Sequence, residues 1–322
     1  MIMLSVALCT YNGERYIQQQ LESILWQTLP VDEIVVCDDG STDQTLSLLH
    51  SVADGSTVSI RVYRNDTHMG VCANFQKAVD LCQGEIIFLC DQDDVWFPEK
   101  TSSIVNFFRQ HPDKSVVFTN ADLIDETGEP LPPPSNELWD YFFHDFSKQQ
   151  FDSHLEFECF LMDNHATGAT MAARKCFLQQ NPFLPLCNNS ILHDYAIAFT
   201  AVIKRQIGYL DTKTLQYRIH DRQHSGIPFG TDERLYSSPF DAIFAGREAL
   251  AMISNSHYKG RARFLDFRRA TKYRISGPIA VMLRWRKYKT FYSSSASRIM
   301  RHDILTSLSH TRSRLRRLIS KW

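Results

Sequence analysis

The sequence predicts an α/β protein built on a mostly parallel, nucleotide-binding type of sheet flanked by helices. Three observations carry that expectation. Short apolar runs alternate with helical periodicity through the first 120 residues. No internal repeat interrupts that alternation, which is the pattern of strands joined by crossover helices. Three of the runs also end in polar tips: Thr10-Tyr11-Asn12, Asp38-Asp39-Gly40-Ser41-Thr42-Asp43 and Asp91-Gln92-Asp93-Asp94. In a parallel sheet such tips share one edge, where open α/β sheets bind ligands.

The elements follow in order. Leu4–Thr10 reads as the first strand, ahead of a helix over 13–27 with Ile17, Leu21, Ile24 and Leu25 at core spacing. Strands are expected at Glu33–Asp38, 58–63 and 85–89, separated by helices over 43–52 and 71–82. Pro98 suits the first turn of a helix reaching Arg109. After a strand over 116–120 the rhythm breaks. Residues 126–165 hold a Pro132-Pro133-Pro134 run and a cluster of aromatics from Trp139 to Phe151. A segment so long is expected to be functional or mobile, and its aromatic content argues against simple disorder. A strand over 167–173, a helix over 193–204 and a closing strand over 215–218 complete the pattern. Beyond about Pro239 the chain reads as helical and then basic.

Composition narrows the class. With 322 residues the chain can bury a large core. No run approaches the ~18 apolar residues of a spanning helix. The start, Met1-Ile-Met-Leu-Ser-Val6, lacks the basic flank of a signal peptide and reads as strand. The eight cysteines include no Cys-x-x-Cys, so reduced thiols in a cytosolic protein are expected, without a disulfide frame or zinc site.

Charge is divided unevenly. Residues 259–322 carry 18 Lys and Arg against Asp266 and Asp303, a net +16, whereas residues 1–258 carry −17. In the tail, basic residues are interleaved with Phe267, Tyr273, Trp285, Phe291 and Tyr292. That mixture suits a helix lying on an anionic bilayer. A solvated face, or docking on the acidic half of the chain, is the alternative. Nucleic acid is not expected as a partner, since no recognised binding module accompanies the charge.

The tips define the chemistry. No Gly-x-G-x-x-Gly follows the first strand and no phosphate-cradling Gly-x-x-x-x-Gly-Lys-Ser/Thr is present, which argues against a dinucleotide or P-loop site. The tips instead offer an aromatic ring at Tyr11, a carboxylate at Asp39 and an acidic cluster at 91–94. Such a set suits a nucleotide whose base stacks and donates to a carboxylate, with its diphosphate held through a hard divalent cation.

On these residues the chain resembles family 2 glycosyltransferases of the A-type fold. The matching motifs are Val6-Ala-Leu-Cys-Thr-Tyr-Asn-Gly13, Val35-Val-Cys-Asp-Asp-Gly-Ser-Thr-Asp43, Asn65 with Gly70, Val71 and Asn74, and Asp91-Gln-Asp-Asp-Val-Trp-Phe-Pro-Glu-Lys100. Thr167-Gly-Ala-Thr-Met171, His193-Asp-Tyr195 and Tyr217-Arg-Ile-His220 continue it. The nearest-looking members are rhamnosyltransferase-like enzymes of polysaccharide assembly, in which two tryptophans usually stand where this chain has Tyr195-Ala196.

The resemblance implies a catalytic domain over 1–238, with a nucleotide-binding half (about 1–120) and an acceptor half (about 121–238), followed by a helical basic region over 239–322. It implies an inverting transfer from a UDP- or dTDP-sugar, dTDP-rhamnose among the candidates. The acceptor would be a cell-surface polysaccharide or lipid-linked oligosaccharide at the inner face of the cytoplasmic membrane. Thr10, Tyr11, Glu14 and Asp39 would line the nucleotide pocket with Asn74 and Asp91. Asp93 would ligate Mg²⁺ or Mn²⁺, supported by Asp94 and His220. Arg218 and His220, with His224 behind them, would meet the diphosphate. Asp194 would be the base that deprotonates the acceptor hydroxyl. The rivals are a catalytically inactive binding subunit of an assembly system and a nucleotidyltransferase. The intact acidic motifs argue against the first, and the missing Gly-rich loop with its lysine against the second.

Overall fold

The structure, a computed structural model, describes residues 2–133, 136–139, 164, 166–187, 191–221 and 223. The basic region 239–322, His224 and the aromatic stretch beyond Trp139 lie outside the described residues.

One eight-stranded sheet organises them. Its strands are β1 (Leu4–Thr10), β2 (Glu33–Asp38), β3 (Ser59–Arg64), β4 (Ile86–Cys90), β5 (Val95–Trp96), β6 (Val116–Ile124), β7 (Met171–Arg174) and β8 (Ile207–Arg218), in the order β3-β2-β1-β4-β7-β6-β8-β5. β3, β2, β1 and β4 run parallel. β7 enters antiparallel between β4 and β6, and β8 then runs parallel to β6. β2 and β4 are buried at every residue, because helices cover both faces and leave no solvated side to alternate with. β3, on the edge, has no fully buried residue.

Helices α1 (Ile17–Leu25), α2 (Thr45–Gly55), α3 (Val71–Leu81), α4 (Lys100–Gln110), α5 (Lys175–Gln180) and α6 (His193–Ile203) fill the crossovers and the far side. α6 is apolar around most of its circumference, with nine of its eleven residues buried. Tyr195 and Ala196 are among them, so they serve the core.

The order of the strands fixes where a ligand can sit. The chain leaves β1 toward β2 and β3, then returns to add β4 on the other flank of β1. Where strand order reverses, the loops after neighbouring strands diverge and open a crevice at their C-terminal ends. The tips of β1 and β4 face each other across that point, with the tip of β2 beside them.

Several boundaries differ from the sequence reading. Pro98 lies outside α4, which starts at Lys100, because the two-residue strand β5 intervenes and pairs with β8. Residues 168–170 form a single 3-10 turn before β7 rather than the start of a strand. β8 is twelve residues long and its middle residues are exposed; register irregularities opposite Thr119 to Asp122 hide it from any simple alternation. Helix α5 was not expected. At the head of the aromatic segment, Trp139 is buried and its indole donates to the Thr119 carbonyl, so the segment begins packed on β6.

Candidate active site

The first tip is built by the second and third. Asn12 sits at positive φ, with its amide donating to Ser41 Oγ and its side-chain oxygen accepting from the Thr42 amide. Gln92 clamps Tyr11 from the other side, accepting from its amide at 2.8 Å and donating to its carbonyl at 3.1 Å. Tyr11 is left 48% exposed, its ring 4.7 Å from the His68 ring. An aromatic face held open on a fixed backbone is a stacking platform.

The second tip is organised by Asp38, which sequence reading left without a role. Its buried carboxylate accepts from the Gly40 and Ser41 amides and from the hydroxyls of Ser41 and Thr10. Thr10 is thereby turned inward, and its hydroxyl is spent on Asp38. Asp39 faces the loop 65–70. Its oxygens accept from Asn65 Nδ2 and the amides of Met69 and Gly70 at 2.7–2.8 Å, and His68 Nδ1 stands 3.0 Å away. Four partners fill a carboxylate's acceptor positions. A nucleobase would therefore have to displace one of them, and His68, whose side chain is 60% exposed, is the easiest to move. Gly70, at φ +81°, carries the chain into α3 through a conformation costly to other residues.

Two expected pocket residues support this loop from behind. Asn74 is buried, accepting from Asn65 and donating to the Cys37 carbonyl. Glu14 is exposed and accepts the Gln44 amide at the start of α2, where a carboxylate is favoured by the helix dipole.

The third tip carries the acid groups. Asp93 Oδ2 lies 2.9 Å from His220 Nε2, and the His220 ring packs on Tyr16. Asp94 points inward, its Oδ1 accepting the Arg218 amide at 3.0 Å while its buried Oδ2 has no hydrogen-bond partner among the described residues. Burial and the Asp93 charge push the Asp94 carboxyl well above its usual range. The same two causes, with Asp194 adding to them, raise Asp91 to about 7. Below the tip, Lys100 is completely buried, donating to the Ala169 carbonyl and lying 4.0 Å from the centre of the Trp96 ring. Burial lowers it to about 7, against the pull of Cys90, Asp94 and Asp91.

Arg218 is held by protein partners. It is buried, and its guanidinium donates to the carbonyls of Asp93, Asp125 and Glu126 and to Gln19 Oε1, with Tyr16 against its face. A planar fork of five donors can gather that many acceptors, here backbone and amide oxygens. Asp194 stands in the first turn of α6, its Oδ2 accepting the Gly168 amide at 3.2 Å. A Cβ on Gly168 would lie 2.8 Å from His193 Nε2 and 3.5 Å from Asp194 Cβ, so the glycine lets the turn approach the helix start.

Does this donor set fit a divalent cation? Among the described residues, no three His, Cys, Asp or Glu side chains converge into an all-protein cage. What exists is a crowd of mutually repelling carboxylates with one buried oxygen unpaired. That arrangement fits Mg²⁺ or Mn²⁺ held by one or two carboxylates and completed by phosphate oxygens.

Comparison with known proteins agrees with the fold. The model of glycosyl transferase family 2 matches residues 5–166, half of the chain. The chain belongs to this family. Its sheet and flanking helices have the A-type α/β fold. The glucosyltransferase WfaP of Escherichia coli, which acts from UDP-Glc on α-D-GlcNAc-diphosphoundecaprenol, is 31% identical over 107 residues, 33% of this chain and 41% of that one. Chondroitin synthase of E. coli is 33% identical over 127 residues, 39% of this chain and 18% of that one. The chain spans less than half the length of the curated relatives it matches. Among solved structures, S. aureus TarS 1–349 in complex with UDP aligns with a TM-score of 0.54 at 18% identity, over 96% of this chain and 89% of that one. Its complex with UDP-GlcNAc gives 0.52 at 21% identity, over 69% and 60%. At such identity the likeness speaks for the fold.

Gln92, Asp38, Asn65 and Lys100 are the residues sequence reading passed over. Their positions inside the motifs were the available signal, but what each side chain touches was not.

Proposed function

We propose that this family 2 glycosyltransferase catalyses a metal-dependent, inverting transfer from a UDP- or dTDP-sugar to a polysaccharide or lipid-linked oligosaccharide acceptor. The observation that carries the reading is the strand order, which reverses at β1 and gathers the tips bearing Tyr11, Asp39 and Asp93 at one edge. Donor-binding and base groups at one edge are what a direct displacement needs.

Tyr11 stacks the base, and Asp39 takes its N–H as His68 swings aside. Asp93, steadied by His220, would hold Mg²⁺ or Mn²⁺, with Asp91 beside it. A cation bound there supplies positive charge to the leaving diphosphate. Asp194 accepts the proton of the acceptor hydroxyl as that oxygen attacks the anomeric carbon from the face opposite the nucleotide. One base suffices for inversion, whereas a retaining hydrolase uses two carboxyls flanking the bond. Two relatives, a glucosyltransferase acting on a diphosphoundecaprenol-linked sugar and a chondroitin synthase, support a saccharide acceptor. The basic segment 259–322 supports a peripheral site on an anionic membrane.

A thermal-shift panel of UDP, dTDP, GDP and CDP, with and without Mn²⁺, tests the reading on the wild type and Asp93→Ala. A shift by UDP or dTDP that needs both Mn²⁺ and Asp93 is expected. Ligand at 100 times its Kd adds about 2.7 kcal/mol of stability. No shift with any nucleotide would favour a binding-only subunit instead.

A further inference from the structure

One buried cation takes no part in the proposed transfer. Lys100 is completely buried and is the first residue of α4. Both features are costly. Lysine is almost never fully buried unless it is paired, and a cation at a helix N-terminus opposes the helix dipole. What Lys100 touches tells why it is there. Its Nζ donates to the Ala169 carbonyl at 2.6 Å, and the centre of the Trp96 ring lies 4.0 Å away.

The root of the side chain is fixed as well as its end. The Lys100 amide donates to the Phe97 carbonyl, and the Phe97 amide donates to the Thr214 carbonyl on β8. Thr101 donates to Gln27 Oε1 through its amide and to the Leu29 carbonyl through its hydroxyl. The ammonium is therefore delivered from a rigid base.

Ala169 is the middle residue of the 3-10 turn Gly168–Thr170, which leads into β7. β7 pairs antiparallel with β4, Ala172 opposite Phe88, so the turn lies where β4 ends and the acidic tip begins. Its first residue reaches the other way, the Gly168 amide donating to Asp194 Oδ2 at 3.2 Å. The Tyr195 amide donates to Asp194 Oδ1 at 2.7 Å, so two N–H groups set the direction of that carboxylate. A Cβ at Gly168 would stand 2.8 Å from His193 Nε2, which leaves the turn little room toward α6. On the sheet side, Thr119 Oγ1 reaches the Thr170 carbonyl only at 3.4 Å. The short contact that holds the turn is the one from Lys100.

We propose that Lys100 is a positioning residue for Asp194: its buried N–H on the Ala169 carbonyl fixes the 168–170 turn, whose Gly168 amide aims the Asp194 carboxylate. The inference rests on the reading of Asp194 as base and deepens it. The group that takes the acceptor proton and the end of β4 are both referenced to one buried side chain. An amine donates an N–H whether or not it is charged, so the contact asks nothing of the titration of Lys100.

Hydrogen exchange of the Gly168 amide, followed by NMR on the ¹⁵N-labelled full chain, reads this link without any substrate. Asp194→Ala removes the acceptor and should speed the exchange roughly tenfold, the worth of one hydrogen bond. Lys100→Met fills the same space without a donor and should do the same, while the β4 amides stay protected. The double variant should exchange no faster than either single one, because both break one chain of contacts. Lys100→Gln, with a donor on a shorter stem, should fall between Lys100→Met and wild type, and it runs the same cycle if Lys100→Met does not fold. A wild-type rate at Gly168 in folded Lys100→Met overturns the proposal. So do single effects that multiply to about 100-fold in the double variant, or no response to Asp194→Ala. Failure of the base reading shows elsewhere, as unchanged turnover in Asp194→Asn.

Discussion

Asp93 and His220 stand 127 residues apart in sequence and 2.9 Å apart in the fold, imidazole Nε2 against carboxylate Oδ2. β8 delivers the histidine to the tip of β4, and Tyr16 backs its ring. A histidine so placed fixes the direction in which the carboxylate presents its oxygens. His220→Ala is expected to weaken Mn²⁺-dependent nucleotide binding and turnover by about 10- to 100-fold. Asp93→Ala should remove the metal dependence altogether. A Mn²⁺ titration of sugar transfer reads both, and wild-type affinity in His220→Ala would separate the histidine from the site.

Asp194 is tested by the mildest change available. Asn keeps the side-chain shape and an oxygen to accept the Gly168 amide, but it cannot take a proton. Asp194→Asn is expected to lower kcat by about 10²- to 10⁴-fold. Donor affinity, followed by thermal shift, should stay within about twofold, because the base meets the acceptor rather than the nucleotide. Unchanged kcat would remove Asp194 as base.

Arg218 is expected to act through stability. Its guanidinium holds three carbonyls and one side-chain amide around the acidic tip. Arg218→Ala leaves those acceptors buried without donors, a loss of about 3–5 kcal/mol. Arg218→Lys should recover only part of that, since an ammonium cannot span the fork. Guanidinium unfolding midpoints measure both. A midpoint within 0.5 kcal/mol of wild type, about the ordinary scatter of surface substitutions, would contradict the strut.

Asp91 sets a pH dependence. Its unfolded-state pKa is near 3.9, while burial and Asp93 raise the folded value to about 7. Between those values the folded state holds the extra proton, so stability falls as pH rises. The favourable contribution is complete below about pH 4 and lost as pH passes 7. Asp94 acts in the same direction. In EDTA, Tm should fall from pH 5 to pH 7.5, and Asp91→Asn should flatten that slope. Added Mn²⁺ should raise Tm more at pH 7.5 than at pH 5. Equal gains at both would argue against a cation among these carboxylates.

Much of this molecule was legible before folding. Strands β1, β2 and β4 were marked by apolar runs ending in polar residues, because parallel strands covered on both faces have no choice but to be apolar. The three tips, and the family they resemble, could be read for the same reason: each motif is local and sits at the end of a strong strand. Less local features escaped. β5 is two residues long and exists only because β8 lies beside it. β8 itself carries polar, partly exposed residues in its middle, so its period is broken.

The roles of side chains divided along the same line. Sequence alone determined which acids stand at which strand end, and hence the class of chemistry. Tertiary structure decided how each is spent: Arg218 turned inward to carbonyls, Glu14 to the start of α2, and Thr10 to Asp38. The physical reason is distance along the chain. Strand and helix preferences act over a few residues, whereas a hydrogen bond or ion pair is set by whichever groups the sheet order brings within 3 Å, and here those groups come from residues as far apart as Gln19 and Arg218.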